Sequence, residues 1–409
     1  MRKGICMEQD VVIVSAVRTP FGRFGGNLRT IPVEELGAAV MREVVNRVGL
    51  PLDVVEEIYV GNCMQFEAAA PSVVGRQIAL RAGFPDHIFS LTLDAACTSS
   101  LVAARLAYWG IRLRQFDIAL AAGVESMSRA GLIVPHDVRW GTRFGNIVNF
   151  DWIFGLIYPG FKAASADTGD VALEYGEGRE AQDKWAYRSQ MAYAEALKDG
   201  KYNVGVELMA IEAPGPKSST TLLDKDEQPR PEATLEKLAE LRTIYDSPTV
   251  TAGNAPGLND GASAVLLMSR KKAEDLGLEI MGRVMACGGY SGKPREMAAV
   301  PGFAIQHLLK KADMSIDEMD LIEINEAFAA MPLIGTRIVG EGDEKKIAEL
   351  REKTNVNGGA IAIGHPVGAS GCRILMSILR ELKRRGGGKG IVSICGGLSQ
   401  AETMIVEVE

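Results

Sequence analysis

Only four histidines occur among the 409 residues, and the six cysteines are scattered without a Cys-x-x-Cys pair. A structural zinc site, which needs clustered sulfur and nitrogen ligands, is therefore not expected. The cysteine spacing also reads as free thiols in a reducing compartment rather than as a disulfide framework. No apolar run approaches the roughly 18 residues of a membrane-spanning helix. Blocks of like charge are missing too: the net charge of −7 is spread along the chain. Without a basic face to meet phosphates, nucleic acid is not an expected partner. Met1 to Asp10 lacks the apolar core of a secretory leader, and the closing Val-Glu-Val-Glu is not a Ser-Lys-Leu peroxisomal address. The reading is a cytoplasmic protein with no transmembrane segment. Because the strand pattern begins only at Asp10, Met7 is an alternative start.

What is present is ordinary globular material, 47% hydrophobic and 24% charged, long enough for two or three domains. Asp10 to Val17 is a continuous β-branched apolar run, the pattern of a strand covered on both faces. Strands are expected again at Glu57–Gly61, Ile88–Leu93 and Phe116–Ala122, with helices over Val33–Val48, Val73–Ala82 and from Cys97 to about Arg112. Strands alternating with helices imply a largely parallel sheet with helices on its faces. From about Ser128 to Thr251 the alternation fails. Six aromatics gather between Phe144 and Phe161, helical material follows over Asp170–Leu197, and the Pro/Ser/Lys-rich stretch Pro214–Pro231 reads as an exposed loop. Ala262–Met268 then resumes the strand pattern, and Glu279–Ala286 opens another.

The final third repeats the first. The segment from Asp53 to Asn62 aligns without gaps on Asp317 to Glu326. A helix near Cys97 leading to a strand near Asp117 is matched by a helix near Ser370 leading to a strand near Lys389. Two copies of one βα unit bring corresponding loops to a shared centre. The expected organisation is an N-terminal half over 1–127 plus 252–278, an inserted loop domain over 128–251, and a C-terminal half over 279–409.

Chemistry is most concentrated in Asn355 to Gly371, which holds five glycines, Pro366 and His365. The glycines permit tight turns and close ligand approach, while Pro366 restricts the histidine before it. Cys97 stands where a loop gives way to a helix, and free N–H groups with the positive helix end favour a thiolate there. Cys395 ends an apolar strand and runs into Gly396 and Gly397, whose N–H groups can face a ligand; a buried strand cysteine is the plainer alternative. Asn325 falls at a strand-to-helix junction and also reads as an N-cap. Cys6 lies in a terminal segment that reads as frayed. Cys63, Cys287 and Cys372, and His87, His136 and His307, lack such contexts and read as core or surface residues. The aromatic segment around Trp152 reads either as a wall of an apolar pocket or as core and subunit packing.

Taken together, Cys97, Asn325, His365 and Cys395 resemble the thiolase family, also called acetyl-CoA acetyltransferases or 3-ketoacyl-CoA thiolases. The resemblance runs through the opening Val-Ser-Ala-Val-Arg-Thr-Pro-Phe-Gly-Arg, Ala122-Gly-Val-Glu-Ser-Met-Ser, Asn259-Asp-Gly-Ala, Asn325-Glu-Ala-Phe and the Gly-His-Pro stretch. It implies duplicated α/β halves in a layered α-β-α-β-α arrangement, with CoA and acyl-chain contacts supplied by the insertion. It also implies CoA-dependent acyl transfer: thiolytic cleavage of a 3-ketoacyl-CoA or the reverse condensation, by a ping-pong route. Position by position, it makes Cys97 the acylated nucleophile and His365 its base. Asn325 becomes the holder of an oxyanion-site water, and Cys395 the second acid/base. Gly397, with the Cys97 amide, becomes a second oxyanion hole, and Arg230 a contact for the adenine of CoA. No tightly bound cofactor is implied. CoA acts as co-substrate, acyl-CoA as substrate, and the assembly is a homodimer or homotetramer, with a partner subunit as a further option.

Departures from the family pattern are specific. The nucleophile segment reads Cys97-Thr-Ser-Ser, closer to ketosynthases. The loop after Cys395 is one glycine shorter than usual, Pro256 stands in place of a serine, and no histidine lies between His136 and His307. A rebuilt acyl pocket is the expectation, with a ketosynthase-like enzyme or a non-catalytic acyl-CoA-binding subunit as alternatives.

Overall fold

The computed structural model describes residues 9–142, 144–156, 158, 160–214 and 219–409. Cys6 lies outside the described residues. Nine strands form the main sheet: β1 (Val11–Arg18), β2 (Glu57–Gly61), β3 (Phe89–Leu93), β4 (Ile118–Ser126), β5 (Asn259–Ser269), β6 (Gly282–Ser291), β7 (Leu321–Ile324), β8 (Gly388–Gly396) and β9 (Gln400–Val408). Their order is β7-β8-β9-β6-β1-β5-β4-β2-β3, with the two-residue strand Gly22–Arg23 attached to β5.

The sheet is not largely parallel, as the strand–helix alternation suggested. Only β7–β8, β2–β3 and β2–β4 run parallel. The five other pairings along this path are antiparallel. The reason is connectivity. β8 turns straight back into β9 as a hairpin, and β5, returning after the long insertion, slots between β1 and β4. Neither connection needs a crossover helix.

The duplication is visible in this order. In one half β5 pairs antiparallel to β4 and β4 parallel to β2; in the other β9 pairs antiparallel to β8 and β8 parallel to β7. Within the sheet the two sets pair through Val12–Arg283 and Ile13–Gly282, and the Met281 N–H donates to the Ile13 carbonyl beside them. Strand residues alternate between faces, and the cores follow suit. On one side, Ile58, Leu120 and Leu266 pack against α1 (Val33–Asn46) and α2 (Val74–Ala82). Ala119, Val265, Val392 and Met404 face a central pair, α3 (Ser99–Arg112) and a C-terminal helix over Ser370–Arg384. Ile322, Ile391 and Ile405 pack outward on helices over Val300–Ala312 and Ala330–Val339. Five layers result, α-β-α-β-α, as the family resemblance implied.

In the central layer the two halves touch through glycine. A side-chain carbon on Gly371 would lie 2.4 Å from the Leu101 nitrogen, and one on Gly123 would lie 2.1 Å from the Gly368 carbonyl oxygen. Only glycine allows such approach. It brings α3 against the C-terminal helix, and β4 against the loop carrying His365.

The segment between β4 and β5 wraps the cavity side with α4 (Ala164–Glu174) and α5 (Arg179–Lys198). Of the stretch read as an exposed loop, Pro214–Pro231, residues 215–218 lie outside the described residues and much of the rest is exposed, but Thr220–Leu223 pairs as a strand with Ile211–Pro214 and Asp226 is anchored. Asp226 is buried and accepts two hydrogen bonds from the buried Arg18 guanidinium, at 2.6 and 2.9 Å. A buried cation needs such partners, so the polar composition of the stretch did not mean full solvation. Among its aromatics, Phe144 is almost wholly exposed, whereas Phe154 and Tyr158 line the cavity described next.

Candidate active site

Cys97 is held two residues ahead of α3 by a loop that closes on itself. Thr98 Oγ1 donates to the Ala95 carbonyl (2.7 Å), Ser99 Oγ accepts from the Ala95 N–H (2.9 Å), and Asp94 Oδ1 accepts from the Ala96 N–H (2.8 Å). Ala96 takes a left-handed φ of 51°, a conformation costing an L-residue on the order of 1–2 kcal/mol. Strain of this kind persists where surrounding contacts enforce it. Here it sits directly before the thiol.

The imidazole of His365 meets that thiol. Its Nε2 lies 3.2 Å from Cys97 Sγ, and its Nδ1 lies 2.6 Å from Ser370 Oγ. The Ser370 hydroxyl donates its one proton to the Pro366 carbonyl at 2.9 Å. Ser370 Oγ therefore accepts from Nδ1–H, which leaves Nε2 as the lone pair facing Cys97. The loop itself is fixed from both sides. The His365 N–H donates to Asn259 Oδ1 (2.8 Å), and the Gly368 N–H donates to Glu125 Oε2 (2.6 Å). Glu125 also accepts from the Cys63 and Met64 N–H groups. Burial raises its carboxyl to about 7.

Asn325 is not a helix cap: the next helix begins five residues later, at Ala330. The buried Arg373 donates to its Oδ1 at 3.0 Å, which turns the amide NH2 toward His365 Nε2, 3.5 Å away. Its neighbour Glu326 ties the junction down, accepting from Trp185 Nε1, Ser189 Oγ and Asn355 Nδ2.

Cys395, fully buried near the end of β8, shares with Cys97, His365 and Gly397 a cavity of about 250 Å³. Met127, Ile153, Phe154, Met297 and Phe328 make its walls largely apolar. In the loop beyond, Leu398 and Ser399 adopt φ of 54° and 63°. The backbone thus keeps a glycine-like turn where glycine is absent. Arg230 stands apart from this cavity on the surface; its guanidinium reaches the Ala252 carbonyl at 3.5 Å.

Electrostatics correct one expectation. The helix end was expected to favour a Cys97 thiolate, but burial, with Cys395 and Glu125 nearby, pushes the thiol well above its usual range. Burial also lifts Cys395 to about 12. Burial and then the Arg373 charge lower His365 to about 3. The resting pair is thus a neutral thiol beside a neutral imidazole: desolvation outweighs a helix-end effect worth only about 1 kcal/mol. Such a pair can pass a proton from Sγ to Nε2 as sulfur attacks a carbonyl, while amide donors meet the developing oxyanion. Among the described residues no group of three His, Cys, Asp or Glu is placed to hold a metal ion.

Sequence reasoning did not single out Ser370, Arg373 or Glu125 as supports of His365. Arg373 did leave a signal, a lone cation in the first turn of an apolar helix. Cys63, read as plain core, packs beside Cys97.

Comparison with known proteins gives the family. Residues 11–271 match the family model "Thiolase, N-terminal domain", and residues 278–408 match "Thiolase, C-terminal domain". The acetyl-CoA acetyltransferase of Syntrophomonas wolfei is 37% identical, over 98% of this chain and 100% of its own. Human mitochondrial 3-ketoacyl-CoA thiolase superposes with a TM-score of 0.91 at 32% identity, covering 98% of this chain and 100% of its own. A structure of that human enzyme in complex with CoA superposes with a TM-score of 0.89, also at 32% identity, covering 98% of this chain and 99% of its own.

Proposed function

The chain belongs to the thiolase family, and on that premise we propose that Cys97 carries the acyl group in a CoA-dependent acyltransferase. The activity is thiolytic cleavage of a 3-ketoacyl-CoA such as acetoacetyl-CoA, or the reverse condensation. The observation that carries the assignment is the 3.2 Å approach of His365 Nε2 to Cys97 Sγ, inside a cavity that also exposes Cys395.

In thiolysis, Cys97 sulfur attacks the 3-keto carbon and gives its proton to His365 Nε2. The alkoxide that forms faces His365 and the water position beside Asn325. Collapse breaks the C2–C3 bond and leaves the acyl group on Cys97. The carbanion of acetyl-CoA takes a proton from Cys395, whose raised pKa keeps it protonated at rest. A second CoA thiol then gives its proton to the Cys395 thiolate and attacks the acyl-cysteine, with the thioester oxygen between the Gly397 and Cys97 amides. The bond between the acyl carbon and Cys97 sulfur then breaks, His365 returns its proton to that sulfur, and the acyl group departs as the new acyl-CoA. Splitting the reaction at a covalent intermediate lets one cavity serve two CoA species in turn. None of these steps calls on a metal or tightly bound organic cofactor.

Arg230, on the surface near the Ala252–Ala255 turn, is assigned to the adenine end of CoA. Five free cysteines among the described residues support a reducing, cytoplasmic setting, and a role in fatty acid breakdown follows from the proposed thiolysis. No described helix is long and apolar enough to cross a membrane. A homodimer or homotetramer is supported by β3, an edge strand that leaves Phe89 and Leu91 exposed. We assign the two halves to 1–127 with 252–278 and to 279–409, with 128–251 inserted.

The test is steady-state thiolysis of acetoacetyl-CoA with CoA varied. Parallel double-reciprocal lines are expected. Intersecting lines, or no turnover with any 3-ketoacyl-CoA, contradict the assignment.

A further inference from the structure

Behind the reaction cavity lies a second one, of about 420 Å³. It is lined by Cys63, Met64, Asp94, Trp152, Leu398 and Gln400, none of which lines the first cavity. Among the described residues the two share only Ala96, Tyr158 and Gly397. Ala96 and Gly397 contribute almost nothing beyond backbone, so among the described residues the partition is in effect one aromatic ring. Its placement is tight at the far end: a side-chain carbon on Gly397 would lie 2.0 Å from the Tyr158 hydroxyl oxygen. The ring therefore reaches across to the β8–β9 turn and closes the gap.

The chemistry on the two sides differs. On the near side, the thiol of Cys97 and the apolar walls suit the first carbons of an acyl group. The far side is apolar at Met64, Trp152 and Leu398, then turns polar at Gln400 and the exposed Asp94. Such a lining suits the distal methylenes of a chain leaving the reaction centre toward solvent. Among the described residues no cation lines either cavity, so a terminal carboxylate finds no partner among them in the first and meets Asp94 in the second.

We propose that the cavity behind Tyr158 is a second acyl subsite, and that the Tyr158 ring is the residue that sets acyl-chain length. With the ring in place the enzyme takes short, uncharged 3-ketoacyl groups. With it removed, the two cavities become one passage for long chains. This rests on the acyl-cysteine reading above, and it adds the substrate class to that reading.

The test compares wild type with Tyr158→Ala, Tyr158→Leu and Tyr158→Phe. The readout is kcat/KM for thiolysis of saturated 3-ketoacyl-CoA thioesters of increasing chain length, from acetoacetyl-CoA upward. Removing a wall group changes discrimination by about tenfold or more. Tyr158→Ala, and less strongly Tyr158→Leu, is expected to raise the long-to-short ratio by at least about tenfold. Tyr158→Phe keeps the ring, and the wild-type ratio is expected with it.

Because this readout needs turnover, the same space is probed without it. The rates at which ethyl and decyl methanethiosulfonate modify Cys97 are followed by peptide mass, which separates Cys97 from Cys63. An increase in the decyl-to-ethyl ratio in Tyr158→Ala sustains the subsite even if thiolysis fails, in which case only the acyltransferase reading falls. Ratios in folded Tyr158→Ala and Tyr158→Leu equal to wild type overturn the proposal, as does a wild type that already prefers long chains.

Discussion

The two halves of the duplicated sheet end at the same level with different residues. In the first half, Gly61 at the end of β2 stands beside Gly123, three residues before the end of β4. In the second, the Asn325 N–H donates to the Ser393 carbonyl just past the end of β7, and Cys395 follows two residues later on β8. One half supplies space at that level and the other supplies functional groups. The space is used: the His365 loop seats its Gly368 carbonyl against Gly123, and the helix beginning at Ser370 seats Gly371 against Leu101. The duplicated frame has become asymmetric, with the thiol in one loop and its base in the corresponding loop of the other copy.

The largest way to break this comparison is to remove either sulfur. Cys97→Ser is expected to lower thiolysis by roughly 10⁴-fold or more and to abolish the acyl-enzyme, read by steady-state rate and intact mass. Cys395→Ser should still acylate from acetyl-CoA while carbon–carbon bond cleavage slows by about 10²–10⁴-fold. A near-wild-type rate in either variant would erase the distinction between the two thiols.

Next in size is the support of the base. Ser370→Ala removes the Nδ1 acceptor, frees the tautomer, and is expected to lower kcat/KM by about ten- to a hundredfold, the effect of losing one buried hydrogen bond. Unchanged kcat/KM would mean that His365 is oriented by Asn325 and its backbone alone.

Gly123→Ala tests the space itself. A methyl placed 2.1 Å from the Gly368 oxygen must move backbone. A loss of about 1–3 kcal/mol in stability is expected from denaturant melts. Gly49→Ala is no useful control because Gly49 has a φ of 67°; a surface alanine substitution on α1 serves better.

The last test is pH dependence, which probes the wild-type pair without a substitution. His365 is lowered to about 3, so no inflection is expected near its usual 6.5. Cys97 is raised, so its thiolate fraction grows with pH throughout the neutral range. Iodoacetamide alkylation of Cys97 should therefore rise about tenfold per pH unit between pH 6 and 8. A plateau there would reveal a preformed thiolate–imidazolium pair.

Much of the frame was legible in the sequence because buried strands and glycine-rich turns leave local marks. Glu57–Gly61 as a strand, and the repeat linking Asp53–Asn62 to Asp317–Glu326, depend on pattern alone. Strand direction is different. Whether β5 runs against β1 and β4 is decided by where the chain returns after more than a hundred residues, which no local pattern encodes. The same holds within the site. Cys97 and His365 stand in telling contexts, but Ser370 matters only because its hydroxyl is already committed to Pro366. Asp226 looks like any loop carboxylate until Arg18 is found buried beside it. The ionisation of Cys97 was misjudged because helix placement is visible in sequence and desolvation by a distant half is not.

The central claim is that Cys97 and His365, brought from opposite halves, form the acylating pair. Brief incubation with acetyl-CoA, acid quench and peptide mass mapping tests it directly in wild type and His365→Ala. A single acetyl group on the Cys97 peptide, much reduced in His365→Ala, is the expected result. Acetylation at Cys63, Cys287 or Cys395 in preference to Cys97, or full acetylation of Cys97 at the wild-type rate without His365, would contradict it.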